Sequence, residues 1–184
     1  MRRDQLAHIL RAAARITEDN DILVIGSQSI LGSFDEGELP EPAWVSVEAD
    51  LAFFDGDQRK PDLVDAMIGE DSQFHQTFGM YGQGVDLTTA VLPTGWRERL
   101  VPFRRDDALP SRAQCLEPHD LVISKLVAGR EKDYVFAWAL MKARLVDAEV
   151  LLERAAQLET VPAVRRRVND WLGAMKGRLT QPGA

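Results

Sequence analysis

Ile22-Leu23-Val24-Ile25-Gly26-Ser27 and, further along, Val45-Ser46-Val47-Glu48-Ala49-Asp50-Leu51 are the two runs whose reading decides the fold. The first is an apolar strand that runs straight into a Gly-Ser turn. The second alternates apolar and polar residues, so Glu48 and Asp50, at i and i+2, project from one face about 7 Å apart along the backbone. Two acids on one face repel each other unless a cation sits between them. Mg²⁺ suits that position, because it takes one or two carboxylates and leaves places for phosphate oxygens. Gly26 lets the backbone come close to a ligand, and amides at the start of a following helix favour phosphate. Together the runs point to nucleotide–Mg²⁺ binding. Each also describes an ordinary feature, a half-exposed strand or a common turn. Their order, strand, Gly-Ser, helix and then a strand with paired acids, is harder to obtain by accident.

The phrases VIGSQSILGSF, SVEADL, FHQTFGMYGQGVDLTTAVLPTGWRERLV and CLEPHDLVISKLVAGREKDYVFA span residues from Ile22 to Ala137. The chain they make up resembles the nucleotidyltransferase fold of the polymerase-beta superfamily, and more closely a bacterial family of nucleotidyltransferase-like proteins related to the AbiEii and MenT type toxin nucleotidyltransferases. The first acid here is Glu48 where that superfamily usually has Asp, and twenty residues, Gln28 to Val47, separate it from Ser27. The resemblance implies an α+β fold, with a nucleotidyltransferase-type mixed β-sheet flanked by helices and a helical C-terminal bundle. It implies an α/β core over residues 1–116 and a helical region, 117–184, that completes the site. It further implies an NTP substrate, Mg²⁺ (or Mn²⁺) as cofactor, an RNA acceptor and an antitoxin protein as partner. In the toxin-type relatives a helix ending in Lys and a following Arg-x-Lys-Asp turn serve the nucleotide. Lys125, Arg130 and Asp133 match those positions.

The metal would sit on Glu48 and Asp50, and Gly26, Ser27 and Lys125 would hold phosphates. Asp86, in the β-rich run Gly84 to Leu92, is the candidate third carboxylate, since metal-dependent phosphoryl transfer commonly uses one to hold a second ion or take a proton. It reads equally as a Gly-Val-Asp turn at a strand entry. Arg130 and Lys125 also suit a helix C-terminus, and Asp133 suits a cap on the next helix. The chemistry is then transfer of a nucleoside monophosphate from an NTP to an acceptor hydroxyl. The alternative is a catalytically degenerate nucleotide- or partner-binding module of the same fold.

Composition bounds the answer without deciding it. The chain has 184 residues, 45% of them hydrophobic, enough for one core with a helical extension. Cys115 is the single cysteine, so no internal disulfide forms, and it reads as a buried strand thiol. No apolar run is long enough for a membrane span, and the N-terminal stretch reads as an amphipathic helix and not as a signal peptide, so the expected location is cytoplasmic. The net charge of −7 hides an asymmetry. Residues 1–95 carry 6 basic and 17 acidic side chains, and residues 96–184 carry 16 basic and 12 acidic. The C-terminal half could therefore face a polyanion, or simply wear a solvated basic surface.

Periodicity places helices over residues 4–18, 61–68, 119–128, 134–144, 147–158 and 163–179, and strands near 22–25, 45–53, 85–91, 98–103 and 112–116. Gly32 to Pro42 reads as a loop between the two motifs, and Ser72 to Tyr81 as a loop or broken helix packed by aromatics. His75, within it, is a candidate base or a core residue. Arg165-Arg166-Arg167 is the densest basic run, a candidate RNA contact or a solvated helix face.

Overall fold

A computed structural model describes residues 1–103 and 112–180. Helix α1 (Arg3–Thr17) buries Leu6, Ile9, Leu10 and Ala13 on one stripe and stops at Glu18, whose φ of 53° is left-handed. Strand β1 (Ile22–Val24) is buried throughout and ends at a 3₁₀ helix over Ser27–Gly32. A further 3₁₀ turn (Glu36–Glu38) and the short α2 (Glu41–Trp44) lead to β2 (Glu48–Phe53). Helices α3 (Arg59–Ile68) and α4 (Gln73–Phe78) follow, then β3 (Tyr81–Gly84). Two 3₁₀ turns (Leu87–Thr89, Trp96–Arg99) precede β4 (Val101–Pro102) and β5 (Gln114–Cys115). The chain finishes in α5 (Pro118–Ala128), α6 (Glu131–Lys142), α7 (Ala148–Ala156) and α8 (Pro162–Leu179).

The five strands form one open mixed sheet in the order β3-β2-β1-β5-β4. β1 is antiparallel to β2 and parallel to β5, β2 is parallel to β3, and β4 is antiparallel to β5. The architecture is therefore mixed α+β. The segment between Gly26-Ser27 and Glu48 is not open loop: it folds as 3₁₀ turns and α2, and the Gln28 side-chain amide closes it by donating to the Ser46 carbonyl at 3.2 Å. A long excursion between the motifs thus returns to its starting point, and the strands that carry them stay neighbours.

Three strand expectations are corrected. The run 85–91 is not a strand; one edge of the sheet is instead Tyr81–Gly84, just ahead of it, at the junction of the run read as a loop or broken helix and the run read as β-rich. Its two even-numbered positions are glycines for a packing reason. A Cβ on Gly82 would sit 3.1 Å from Ile9 Cγ2, and one on Gly84 would sit 2.1 Å from the Pro61 carbonyl oxygen, so α1 and α3 press directly onto that backbone. Residues 85–91 instead begin with Asp86 accepting from the Thr88 amide at 2.7 Å, which starts a 3₁₀ turn. Over 98–103 only Val101–Pro102 pairs, because Gly95 at φ 79° turns the chain into a 3₁₀ helix first. The strand expected from residue 45 begins at Glu48. The six expected helices match α1, α3, α5, α6, α7 and α8 to within a few residues. α2 forms where no helix was expected, α4 falls in the run read as a loop or broken helix, and Cys115 is a buried strand thiol as read. Arg104, Arg105 and the run Asp106 to Ser111, which reads in sequence as a loop, lie outside the described residues, as do residues 181–184.

Candidate active site

The antiparallel pairing of β1 with β2 decides the site. Val24 stands opposite Leu51, and the Ile25 amide donates to the Asp50 carbonyl at 3.1 Å, so the turn that follows β1 lies beside the acids that begin β2. Along β2, Glu48 and Asp50 are partly exposed while Ala49, Leu51, Ala52 and Phe53 are buried, which puts both carboxylates on the open face. Contact with the turn is tight: a Cβ on Gly26 would fall 1.5 Å from Asp50 Oδ2. Glycine is required there because the carboxylate occupies the side-chain position.

Both acids open into a cleft with two lobes that meet at Asp50, Lys125 and Arg130. The larger, about 400 Å³, has a mainly apolar wall that includes Ile25, Val85, Val91 and Val127. The smaller, about 170 Å³, is polar, with Ser27, Ser46, Glu48, Lys132 and Asp133 among its walls. Burial and then the charge of Glu48 raise the carboxyl of Asp50 to about 6, against the pull of Lys125 and Arg130. Burial lowers the pKa of Lys125, opposed by Asp133 and Asp50. Burial raises that of Asp133, but the hydrogen bond from Arg130 and the charges of Lys125 and Arg130 outweigh it and hold the acid below its usual range.

Asp133 is 1% exposed and accepts from Arg130 Nε at 2.8 Å, with Lys125 Nζ 3.7 Å from its other oxygen. It also accepts from the Arg130 amide at 3.2 Å, so the first turn of α6 is capped by the group that fixes both cations. Asp133 therefore both caps α6 and pairs with the two cations.

The donor set fits one divalent cation. Two carboxylates converge, one of them raised by burial and by its neighbour, a situation that a cation between them would reverse. Among the described residues no group of three His, Cys, Asp or Glu gathers. Glu48 and Asp50 are therefore the two side chains that would hold such an ion, with its other positions left to groups from outside the protein.

Asp86 does not join them. It accepts from Gln58 Nε2 at 2.6 Å and from the Thr88 hydroxyl at 2.6 Å, and it borders a separate depression beside α3. His75 also stays outside the cleft lining: its Nδ1 accepts from the Asp71 amide at 3.1 Å, and its ring packs 4.7 Å from that of Tyr81. Of the basic run, Arg165 donates to the Leu158 carbonyl, and Arg167 donates to the Leu126 and Val127 carbonyls at 3.2 and 2.6 Å, closing the end of α5. Arg165 is half-buried and Arg167 exposed, and both guanidinium groups are engaged by backbone carbonyls.

Tyr81 is the residue that sequence reasoning missed. It stands beside Glu48 in the parallel β2–β3 register, and its hydroxyl donates to Glu48 Oε2 at 3.4 Å. Burial, then the charge of Glu48, raises its own pKa to about 12, so it remains a donor. The alternation Tyr81-Gly82-Gln83-Gly84, with side chains at every second position, was the available signal.

Over residues 4–171 the chain matches the model of a protein family described as nucleotidyltransferase of unknown function (DUF6036), and it belongs to that family. Neither the curated proteins nor the solved structures contain a match to it.

Proposed function

We propose that this member of the DUF6036 nucleotidyltransferase family moves a nucleoside monophosphate from an NTP to an acceptor hydroxyl, with pyrophosphate leaving and Mg²⁺ or Mn²⁺ as cofactor. The observation that carries the reading is the seating of Asp50 against Gly26 with Lys125 and Arg130 on the same cleft. It brings a close-approach turn, paired acids and two cations to one place. The sheet and its helices are consistent with the nucleotidyltransferase fold of the polymerase-beta superfamily.

The larger lobe suits the nucleoside, since its apolar wall can cover a base and its volume lies within the range of small-molecule sites. The triphosphate would lie at the junction, where Ser27 and the Gly26 backbone face it from one side and Lys125 and Arg130 from the other. Glu48 and Asp50 would hold a divalent ion, which would supply positive charge against the negative charge that grows in the transition state. Tyr81 keeps the Glu48 carboxylate in place. Lys125 and Arg130 balance phosphate charge beyond the reach of the ion, and Asp133 holds both cations ready, so little reorganisation is needed on binding. No covalent step on the protein is required: transfer of this kind rests on positioning and charge.

A binding module of the same fold is the second reading, and the placement of Asp86 outside the cleft favours it, because two acids remain where two-metal chemistry uses three. One experiment separates them. The protein with Mg²⁺ or Mn²⁺ and each α-³²P-labelled NTP, with RNA, protein and small hydroxyl acceptors, should release pyrophosphate and label one class. NTP binding without any labelled product supports a nucleotide-binding module, and no binding at millimolar NTP sinks both transfer and that module, leaving a partner-binding one.

A further inference from the structure

The mouth of the smaller lobe carries apolar surface that folding does not account for. Trp44, Val45 and Val47 are 40%, 54% and 46% exposed and form the run that leads from α2 into β2, just ahead of Glu48. Val135, 50% exposed, lies on α6 three residues after Lys132 and so shares the helix face that Lys132 turns to the lobe. α2 packs on α6, and Val45 and Phe136 line the lobe together with Glu48, so the run and the helix face border one opening. Half of the eight large hydrophobic side chains exposed among the described residues lie on this run and on α6, which packs against it. Clustered exposed apolar groups beside a site mark a surface that meets something.

The charges nearby argue about what it meets. A nucleic-acid strand calls for a track of Lys and Arg with aromatic platforms for the bases. Here one aromatic stands among three valines, and the exposed charges on the same two helices are mixed, Glu41 and Glu131 with Lys132. On the far side of Glu48, residues 59–84 hold only two cations: Arg59 is paired with Asp57, and Lys60 with Asp19 and Asp55. Arg130 and Lys125 are committed to Asp133 and to the phosphate end of the cleft. An apolar centre with a mixed-charge edge is the make-up of a protein–protein contact.

We propose that the acceptor is a Ser, Thr or Tyr hydroxyl of a polypeptide, which docks on Trp44, Val45, Val47 and Val135 and presents its side chain to the smaller lobe. This rests on the nucleotidyl-transfer reading. In the step, the hydroxyl oxygen bonds to the α-phosphorus and the bond from that phosphorus to the bridging oxygen breaks. Pyrophosphate leaves with the electron pair, and the hydroxyl proton passes to solvent.

The test uses the full chain with Mg²⁺, α-³²P-labelled NTP and three probes: peptide pools with a fixed central Ser, Thr or Tyr and flanks rich in Leu, Val, Ile and Lys; the same pools with central Ala; and a mixed tRNA preparation. Label should enter the hydroxyl pools and neither of the other probes. Trp44→Ser and Val135→Asp should each raise the peptide concentration for half-maximal labelling about tenfold, as loss of one apolar anchor does, while calorimetric NTP affinity stays within about twofold. Should Trp44→Ser fail to fold by circular dichroism, Val135→Asp carries the comparison. Label in tRNA, no label in any hydroxyl pool while NTP is bound, or unchanged peptide dependence in the folded variants overturns the acceptor assignment and leaves nucleotidyl transfer standing. Absence of NTP binding overturns both.

Discussion

Asp50 fills the place that a side chain on Gly26 would take: Oδ2 lies 1.5 Å from where that Cβ would be. The relationship ties the turn after β1 to the acid on β2, and through it the phosphate side of the cleft to the metal side. Gly26→Ala should therefore push the carboxylate aside. We expect a loss of about 1–3 kcal/mol in denaturant unfolding, the usual cost of overpacking, and loss of Mg²⁺-dependent nucleotide binding by calorimetry. Wild-type nucleotide affinity in the folded variant would show that the contact does not matter.

Asp50→Asn should separate stability from function. The carboxylate is half-buried beside Glu48, so removing its charge relieves repulsion in the metal-free protein. The melting temperature should rise while Mg²⁺-dependent NTP binding and transfer vanish. A variant that keeps full activity would remove Asp50 from the site.

The same pair sets a pH dependence with a definite sign. The folded pKa of Asp50 is about 6 against an ordinary value of 3.8, so its half-buried charge destabilises the protein fully above pH 6. Protonation relieves that cost as pH falls. The stability gained by Asp50→Asn in metal-free buffer should be largest above pH 7, at most about 3 kcal/mol at 1.36 kcal/mol per unit, and should shrink toward zero near pH 4. Urea melts of the two proteins across that range measure it, and a gap that widens on acidification contradicts the assignment.

Asp133→Ala strips the partner from a buried lysine and an arginine. Loss of one side of a buried ion pair costs on the order of 3 kcal/mol. Arg130→Ala, at a side chain 57% exposed, should cost much less stability yet weaken NTP binding. Equal destabilisation by the two, in parallel melts, would mean that Asp133 is not the anchor.

Asp86→Ala tests a residue outside the cleft. It should forfeit the cap on the Leu87–Thr89 turn, about 1 kcal/mol, with transfer and NTP affinity unchanged. A large fall in the rate constant in the folded variant would return Asp86 to the chemistry.

Much of the local structure was legible because its causes are local. The apolar stripe of α1, the Gly129 stop of α5 and the Pro162 start of α8 follow from spacing and backbone preference. The pairing of acids at Glu48 and Asp50 followed from the strand period, and the structure puts both on one face with Ser27. The edge strand escaped because Tyr81-Gly82-Gln83-Gly84 has poor strand propensity, while residues 85–91 look like a strand and are turned aside by the Asp86 cap. Propensity is a short-range quantity; the packing of α1 and α3 onto two glycines is not.

What the amino-acid sequence determined alone was therefore the inventory: a Gly-Ser turn after a buried strand, two acids one pleat apart, and a Lys, an Arg and an Asp around a helix junction. Which of these meet was left to the tertiary structure. Antiparallel pairing of β1 with β2 brought Asp50 to Gly26 across an excursion that closes on itself through Gln28 and Ser46. Parallel pairing of β2 with β3 placed Tyr81 beside Glu48, while the turn at Asp86 kept the third acid away. Spacing along a chain fixes the face of a single element, but distance between elements depends on strand order and register, and these are set by how the whole core packs.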